Sequence, residues 1–354
     1  MRLLVINFEM DRLSRTMPWS QQVVNLLAKE CETVVVLTSR AGQYTPPPNV
    51  LVKIIPARPF GIPRRFGSTW LLNFWVCNLI RRSRIDVCFI HMAMEWAYYL
   101  KPCFKLLRIP VLMWYAHGTV SNMLKKAHNA ATRVVTSTPE GCRIKSDKIF
   151  VIGQGIDTSI FDIQPQGQNR QDIITVTRIS PRKRIELLIE IMRVLKNIHG
   201  IPEFHLKIIG TPITTDDQFY EIELRDRAWR MDLHDYVEFV GFVPQEYIPV
   251  YYRNAFLHIN VSQTGSMDKT VLESLACGCP VLTSNEAFFQ LLAEYPEMVI
   301  KNESPRAIAR QILDIYERRD SYDPSQLRNL VVGKHDIHSY VGKIMDHLRH
   351  ISTS

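Results

Sequence analysis

The 354-residue chain, 46% hydrophobic and 22% charged, has the ordinary composition of a globular protein and enough length for two domains. No apolar run approaches the ~20 residues a membrane-spanning helix needs, and the opening Met1-Arg-Leu-Leu-Val-Ile-Asn7 reads as a strand, not a secretory leader. The net charge of +8 is uneven: residues 1–160 hold 21 Lys/Arg against 9 Asp/Glu, and residues 161–354 hold 22 against 26, so the first half is the one drawn to phosphate groups.

Short apolar runs alternate with helix-period segments along the first half. Strands are expected at Leu3–Ile6, Thr33–Thr38, Val50–Ile55, Val87–His91, Val111–Trp114, Arg133–Thr136 and Ile149–Ile152. Helices are expected at Ser20–Glu30, Ser68–Arg82 and Trp96–Leu107. A Gln-rich polar stretch, residues 164–171, interrupts the pattern, which then restarts. Strands follow at Ile173–Thr177, His205–Ile209, Val237–Val240, Leu257–Val261 and Pro280–Thr283, with helices at Ile185–Ile198, Asp217–Arg230, Glu246–Arg253 and Lys269–Cys277. Such alternation predicts parallel sheets covered on both faces. The expected architecture is therefore two doubly wound, Rossmann-like α/β domains facing across a cleft, residues 1–163 and 172–335, joined by the linker 164–171. The tail, residues 336–354, has apolar residues at helical spacing and is expected to cap one domain, by preference the N-terminal one. The seven cysteines include no Cys-x-x-Cys pair, which fits a reducing, cytoplasmic setting with the thiols as small core residues.

Several familiar sites are missing. The chain has no Gly-x-Gly-x-x-Gly after a strand, no phosphate-binding Gly-x-x-x-x-Gly-Lys loop, no Gly-x-Ser-x-Gly elbow and no His/Cys ligand array. The acidic pair Asp216-Asp217 reads as a helix start, where carboxylates meet the positive end of the dipole. Three other groups fall at expected strand ends, where doubly wound sheets bind ligands. Arg178 and Lys183 bracket the loop after the first strand of the second half and suit a diphosphate; as a plain alternative, Arg182, Lys183 and Arg184 form a solvated charge run. The loop Ser262–Asp268 leads into a helix whose first amides, at Lys269 and Thr270, favour phosphate, with Gly265 allowing close approach. There Thr270-Val-Leu-Glu273 also fits a capping box, in which Glu273 only ties up a backbone N–H. In the first half, His117 next to Gly118 ends a strand, and His91 is the weaker candidate.

Together these residues resemble the retaining family 4 glycosyltransferases (glycosyl transferases group 1) of the GT-B fold. Arg178 and Lys183 match that family's Arg-x4-Lys; Ile208-Ile-Gly210 and Val240-Gly-Phe-Val-Pro244 match its segments beside the nucleotide base. Val271-Leu-Glu-Ser-Leu-Ala-Cys-Gly-Cys-Pro-Val-Leu-Thr-Ser-Asn285 is similar to its hallmark Leu-Glu-Ala-Met-Ala-x-Gly-x-Pro-Val-x-Thr, and Gly153-Gln-Gly-Ile-Asp157 is similar to the segment before its linker. The resemblance implies that Arg178, Lys183, Lys269 and Thr270 hold a donor diphosphate and that Glu273 binds the donor ribose. It places Gly210, Phe242 and Val243 by the base, and His117, Gly265, Ser266, Met267 and Asp268 by the donor sugar. The catalytic set it implies is His117, Arg178 and Lys183. No cofactor is expected, since fixed cations replace a metal.

The chain departs from the family at three places. Gly265 stands where the first of two glutamates is usual, Arg184 stands where glycine is usual, and the loop Asn7–Trp19 lacks a Gly-Gly pair. The expected partners are a nucleotide-sugar donor and a glycan or polyprenyl-linked acceptor, with no nucleic acid, and the product belongs to cell-surface polysaccharide or glycoconjugate synthesis. Arg58–Phe66 with Trp70, Phe74, Trp75, Arg81, Arg82 and Arg84 supports two readings: docking on an anionic membrane at the inner face, or an ordinary covering helix with the aromatic stripe in the core. Two further functions stay open, a GT-B-like nucleotide-sugar 2-epimerase and a basic nucleic-acid-binding protein.

Overall fold

The computed structural model describes residues 1–55, 67–164, 171–201, 203–262 and 265–353. They form two compact units, Met1–Gln154 with Ile337–Ser354 and Gly155–Asp336. The first domain was expected to run to residue 163, but residues from 155 onward pack in the second unit. Ile156 and Phe161 are buried in its core, and Arg328 bonds the carbonyls of Thr158 and Phe161. Within the expected linker, residues 165–170 lie outside the described ones.

In chain order the first unit contains β1 (Arg2–Met10), α1 (Ser20–Glu30), β2 (Thr33–Ala41), β3 (Val50–Ile54), α2 (Gly67–Ser83), β4 (Val87–His91), α3 (Glu95–Tyr99), α4 (Lys101–Leu107), β5 (Val111–Trp114), α5 (Asn122–Ala130), β6 (Arg133–Thr136) and β7 (Ile149–Val151). Its parallel sheet has the order β3-β2-β1-β4-β5-β6-β7. Alternate residues of β1 feed two cores, Leu3 and Val5 one, Leu4 and Ile6 the other. That is why this strand reads as an unbroken apolar run: side chains alternate across a sheet whose two faces are both covered. The single helix expected over Trp96–Leu107 is two, because Pro102 has no N–H to continue a helix and sits instead in the first turn of α4.

The second unit contains β8 (Asp172–Val176), α6 (Ile185–Lys196), β9 (His205–Ile209), α7 (Thr215–Arg230), β10 (Val237–Gly241), α8 (Ile248–Asn254), β11 (Ala255–Asn260), α9 (Lys269–Ala276), β12 (Val281–Thr283), α10 (Pro305–Glu317) and α11 (Pro324–Asn329). Its parallel sheet runs β10-β9-β8-β11-β12. The last helix, α12 (Ile337–Thr353), belongs to the first unit, where it buries Ile337, Tyr340, Val341, Ile344, Met345, Leu348 and Ile351 in the same core as Leu3 and Val5. All seven cysteines are free thiols, six of them buried.

The covering-helix reading of α2 fails for two of its three aromatics. Trp70 is 81% exposed and Phe74 69% exposed, while Trp75 packs against the core beneath.

Candidate functional site

In the second unit the chain lays β9 and β10 on one side of β8, then β11 and β12 on the other. Loops leaving the carboxyl ends of β8 and β11 therefore diverge, which opens a crevice at the point where the strand order reverses. Both loops carry residues singled out by the sequence. After β8 come the exposed Arg178 and a short turn, Pro181–Lys183. Arg184 follows at φ 52, the left-handed region, which explains why glycine is usual there. Its guanidinium is held 2.9 Å from Glu303.

The β11 loop meets Lys183. Its Nζ lies 3.3 and 3.2 Å from the two Asp268 carboxylate oxygens and 3.4 Å from Ser262 Oγ. Asn260 Nδ2 and Ser262 Oγ also donate to Asp268, at 3.0 and 2.7 Å. Burial pushes the Asp268 carboxyl up, but the Lys183 charge and these hydrogen bonds outweigh it and hold it below the usual range. Gly265 has φ 66, and the Ser266 carbonyl accepts from Asn285 Nδ2 at 2.8 Å, which ties the loop to the end of β12. Met267, expected by the donor sugar, is buried against the apolar core.

Asp268 is the N-cap of α9 yet makes no side-chain cap bond, and Thr270 and Glu273 form no capping box. The capping-box alternative needs Thr270 as the N-cap; with Lys269 as the first helical residue, as expected, Glu273 is the fifth. The capping box of this unit lies at Thr214 and Asp217, where α7 starts. Burial pushes Asp217 up, but bonds from Thr214 and Ile213 and the Arg178 charge hold it below its ordinary value.

Behind the first turn of α9, Lys269 Nζ donates to the Gly155 carbonyl at 2.7 Å. Glu273, one turn on, is buried and accepts from Tyr252 Oη at 3.4 Å. Burial lowers Lys269 and raises Glu273, and each charge moderates the shift of the other. The fully buried His258 lies beneath, on β11; burial depresses it to about 3, and neither ring nitrogen has a hydrogen-bond partner among the described residues. Gly210 closes β9 at φ +137, where an added Cβ would lie 1.9 Å from the Thr177 carbonyl oxygen. Its N–H donates to the Gly241 carbonyl at 2.8 Å, ahead of the 39% exposed Phe242 and the partly buried Val243.

In the first unit His117 is half-buried. Its N–H donates to the Gly141 carbonyl at 2.8 Å, and its Nδ1 accepts from the Thr119 N–H at 3.2 Å. His91 is a core residue, packed among Trp19, Phe89 and Trp114 with Nε2 3.3 Å from Tyr340 Oη.

The structure thus brings Lys183 and Asp268 together, and Lys269 with Glu273. Sequence reasoning missed Asn260, Ser262, Tyr252 and His258. Asn260 and Ser262 carried one signal, polar residues closing an apolar strand at the ligand-binding edge of a sheet; Tyr252 and His258 carried none.

Two family models match the chain. The one described as glycosyl transferases group 1 matches residues 157–328, nearly the whole second unit, and the one described as glycosyltransferase family 4 matches residues 21–160. The chain is 29% identical over 163 residues to an amylovoran biosynthesis glycosyltransferase of Erwinia amylovora, across 44% of this chain and 38% of that protein. It spans 38–41% of the length of the curated relatives that match it first. Its fold is that of an Anabaena protein, HepE, solved in complex with UDP (TM-score 0.78, 15% identity, 99% of this chain and 100% of that one). A sucrose-phosphate synthase from Thermosynechococcus elongatus has the same fold (TM-score 0.79, 17% identity, 99% of both chains).

Proposed function

The chain belongs to the group 1, family 4 glycosyltransferases of the GT-B fold, and from that premise we propose that it moves a glycosyl unit from a nucleoside-diphosphate sugar to a glycan or polyprenyl-linked acceptor, with retention of configuration. The observation that carries this is the convergence of the Lys183 cation with the start of α9 at the reversal point of the second sheet. The relatives agree in kind: one is named an amylovoran biosynthesis glycosyltransferase, and a protein of the same fold was solved with UDP.

Cleavage of the sugar–phosphate bond builds negative charge on the leaving diphosphate. Arg178, Lys183 and the backbone amides at Lys269 and Thr270 supply fixed positive potential where that charge grows, the part a divalent metal takes in other transferases. The leaving phosphate oxygen accepts the acceptor hydroxyl proton as the new glycosidic bond forms on the same face. Glu273 binds the ribose and Gly210, Phe242 and Val243 flank the base. His117 acts on the transferred sugar, a role that rests on the family resemblance alone.

Thermal melting against a panel of nucleotide sugars is the direct test, because a ligand that binds the folded state raises the melting point. One donor class is expected to stabilise the protein and to support transfer. Lys183→Ala should lower turnover by ~10²–10³-fold with the melting curve intact; near-normal turnover overturns the assignment.

A second element of the proposal is peripheral docking on an anionic membrane at the cytoplasmic face. It is favoured by the exposure of Trp70, Leu71 and Phe74 on α2, a helix that ends in Arg81 and Arg82 with Arg84 just beyond. Among the described residues, no helix is long and apolar enough to cross a membrane.

A further inference from the structure

We infer that Asp268 is an internal competitor for the donor diphosphate: it occupies the Lys183 cation in the unliganded protein, and the donor binds by taking its place. The inference rests on the donor-site reading above. Among the described residues, the hydrogen-bond partners of Lys183 Nζ are the Asp268 carboxylate and Ser262 Oγ. The two carboxylate distances, 3.3 and 3.2 Å, are long beside the ~2.7–2.9 Å of a tight charge-assisted bond. The ion pair is loose, and a phosphate oxygen can bind the ammonium more closely.

The two partners are anchored unequally. Asp268 keeps bonds from Ser262 at 2.7 Å and Asn260 at 3.0 Å if Lys183 departs. Among the described residues, Lys183, which shows 17% of its side chain to solvent, would keep only Ser262. Its departure is therefore favourable when another anion replaces the carboxylate, and a diphosphate is such an anion.

The backbone explains why the carboxylate is at 268. Gly265, where the family places glutamate, has φ 66, a conformation that strains any residue with a Cβ. Three residues on, Asp268 stands at the N-cap of α9, a position where aspartate ordinarily bonds the first turn. It makes no such bond and turns to Lys183 instead. The exchange runs in both directions. When the nucleoside diphosphate product leaves, Asp268 recovers Lys183, so the pair lowers affinity for the product and helps release it.

The test measures binding of UDP, GDP, ADP and inorganic pyrophosphate by titration calorimetry. Asp268→Asn should bind the accepted diphosphates at least about tenfold more tightly than wild type, with KM and kcat both lowered because product release slows. In a Lys183→Met background the same change should leave affinity unaltered. Asp268→Ser, also a good residue at the start of a helix, replaces Asp268→Asn if the latter misfolds. Unchanged or weaker binding by the Asp268 variants overturns the inference while leaving the donor site standing. If neither wild type nor variant binds any of the four probes, the donor-site reading fails and takes the inference with it.

Discussion

His258 shows how one residue records its surroundings. A histidine without hydrogen-bond partners in a fully buried position is held neutral: burial depresses it to about 3, although the Asp268 charge opposes the shift. The folded value lies below the ordinary 6.5, so the neutral form stabilises the fold above that pH. That stability is lost as pH falls from about 6.5 toward about 3, at ~1.4 kcal/mol per pH unit. Urea unfolding of wild type and His258→Gln at several pH values should show it. The stability of wild type relative to the variant falls with pH below about 6.5, and a difference independent of pH would mean that His258 is not buried neutral. The same scale separates what was legible from what was not. Lys183 and Glu273 stood out in the sequence because motif spacing carries them. Asn260 and Ser262 gain their meaning from Asp268, 8 and 6 positions on, only because Asp268 in turn meets Lys183, 85 positions away; Tyr252 reaches Glu273 across 21 positions.

At the scale of elements, α2 is the most instructive. Its aromatic residues recur at helical spacing, which marks one face without saying what covers that face. The core takes Leu72, Val76 and Ile80 and leaves Trp70 and Phe74 in solvent. If the membrane proposal holds, Trp70→Ser with Phe74→Ser should abolish most co-sedimentation with anionic vesicles at low salt, with turnover on a soluble acceptor kept. Wild type that stays in the supernatant at low salt removes the proposal. Elements buried on both faces were the easiest to read. The runs at Val87–His91, Val111–Trp114, Arg133–Thr136 and His205–Ile209 became strands with the expected bounds, because a short run centred on apolar residues suits a covered parallel strand. The division of α3 from α4 was not read, although Pro102, in the first turn of α4, was the local signal for it.

At the scale of the whole molecule, the first unit holds 23 Lys/Arg against 9 Asp/Glu and the second 20 against 26. On the donor-site proposal, a diphosphate meets a second unit whose overall charge repels it, and affinity must come from cations concentrated at the site. The chain also closes its first unit last, with α12 seated in a core begun by β1. Tyr340 is fully buried there, edge-on to Trp114 at 5.2 Å, so Tyr340→Ala should destabilise this unit by ~3–5 kcal/mol. Five of the six tryptophans lie in the first unit, so fluorescence-monitored urea unfolding reads the loss as a lower midpoint; an unchanged midpoint would mean that α12 adds little to that core.

The sequence by itself determined the type and order of most elements, the two doubly wound units and the motif positions that mark the family. Those signals are local: apolar periodicity, a proline or glycine at a turn, residues at fixed spacing. Only the tertiary structure decided that Asp268 holds Lys183, that residues 155–163 pack in the second unit and that Trp70 and Phe74 face solvent. Each depends on which strand lands beside which, and so on the balance of burial over the whole fold, which no local pattern contains.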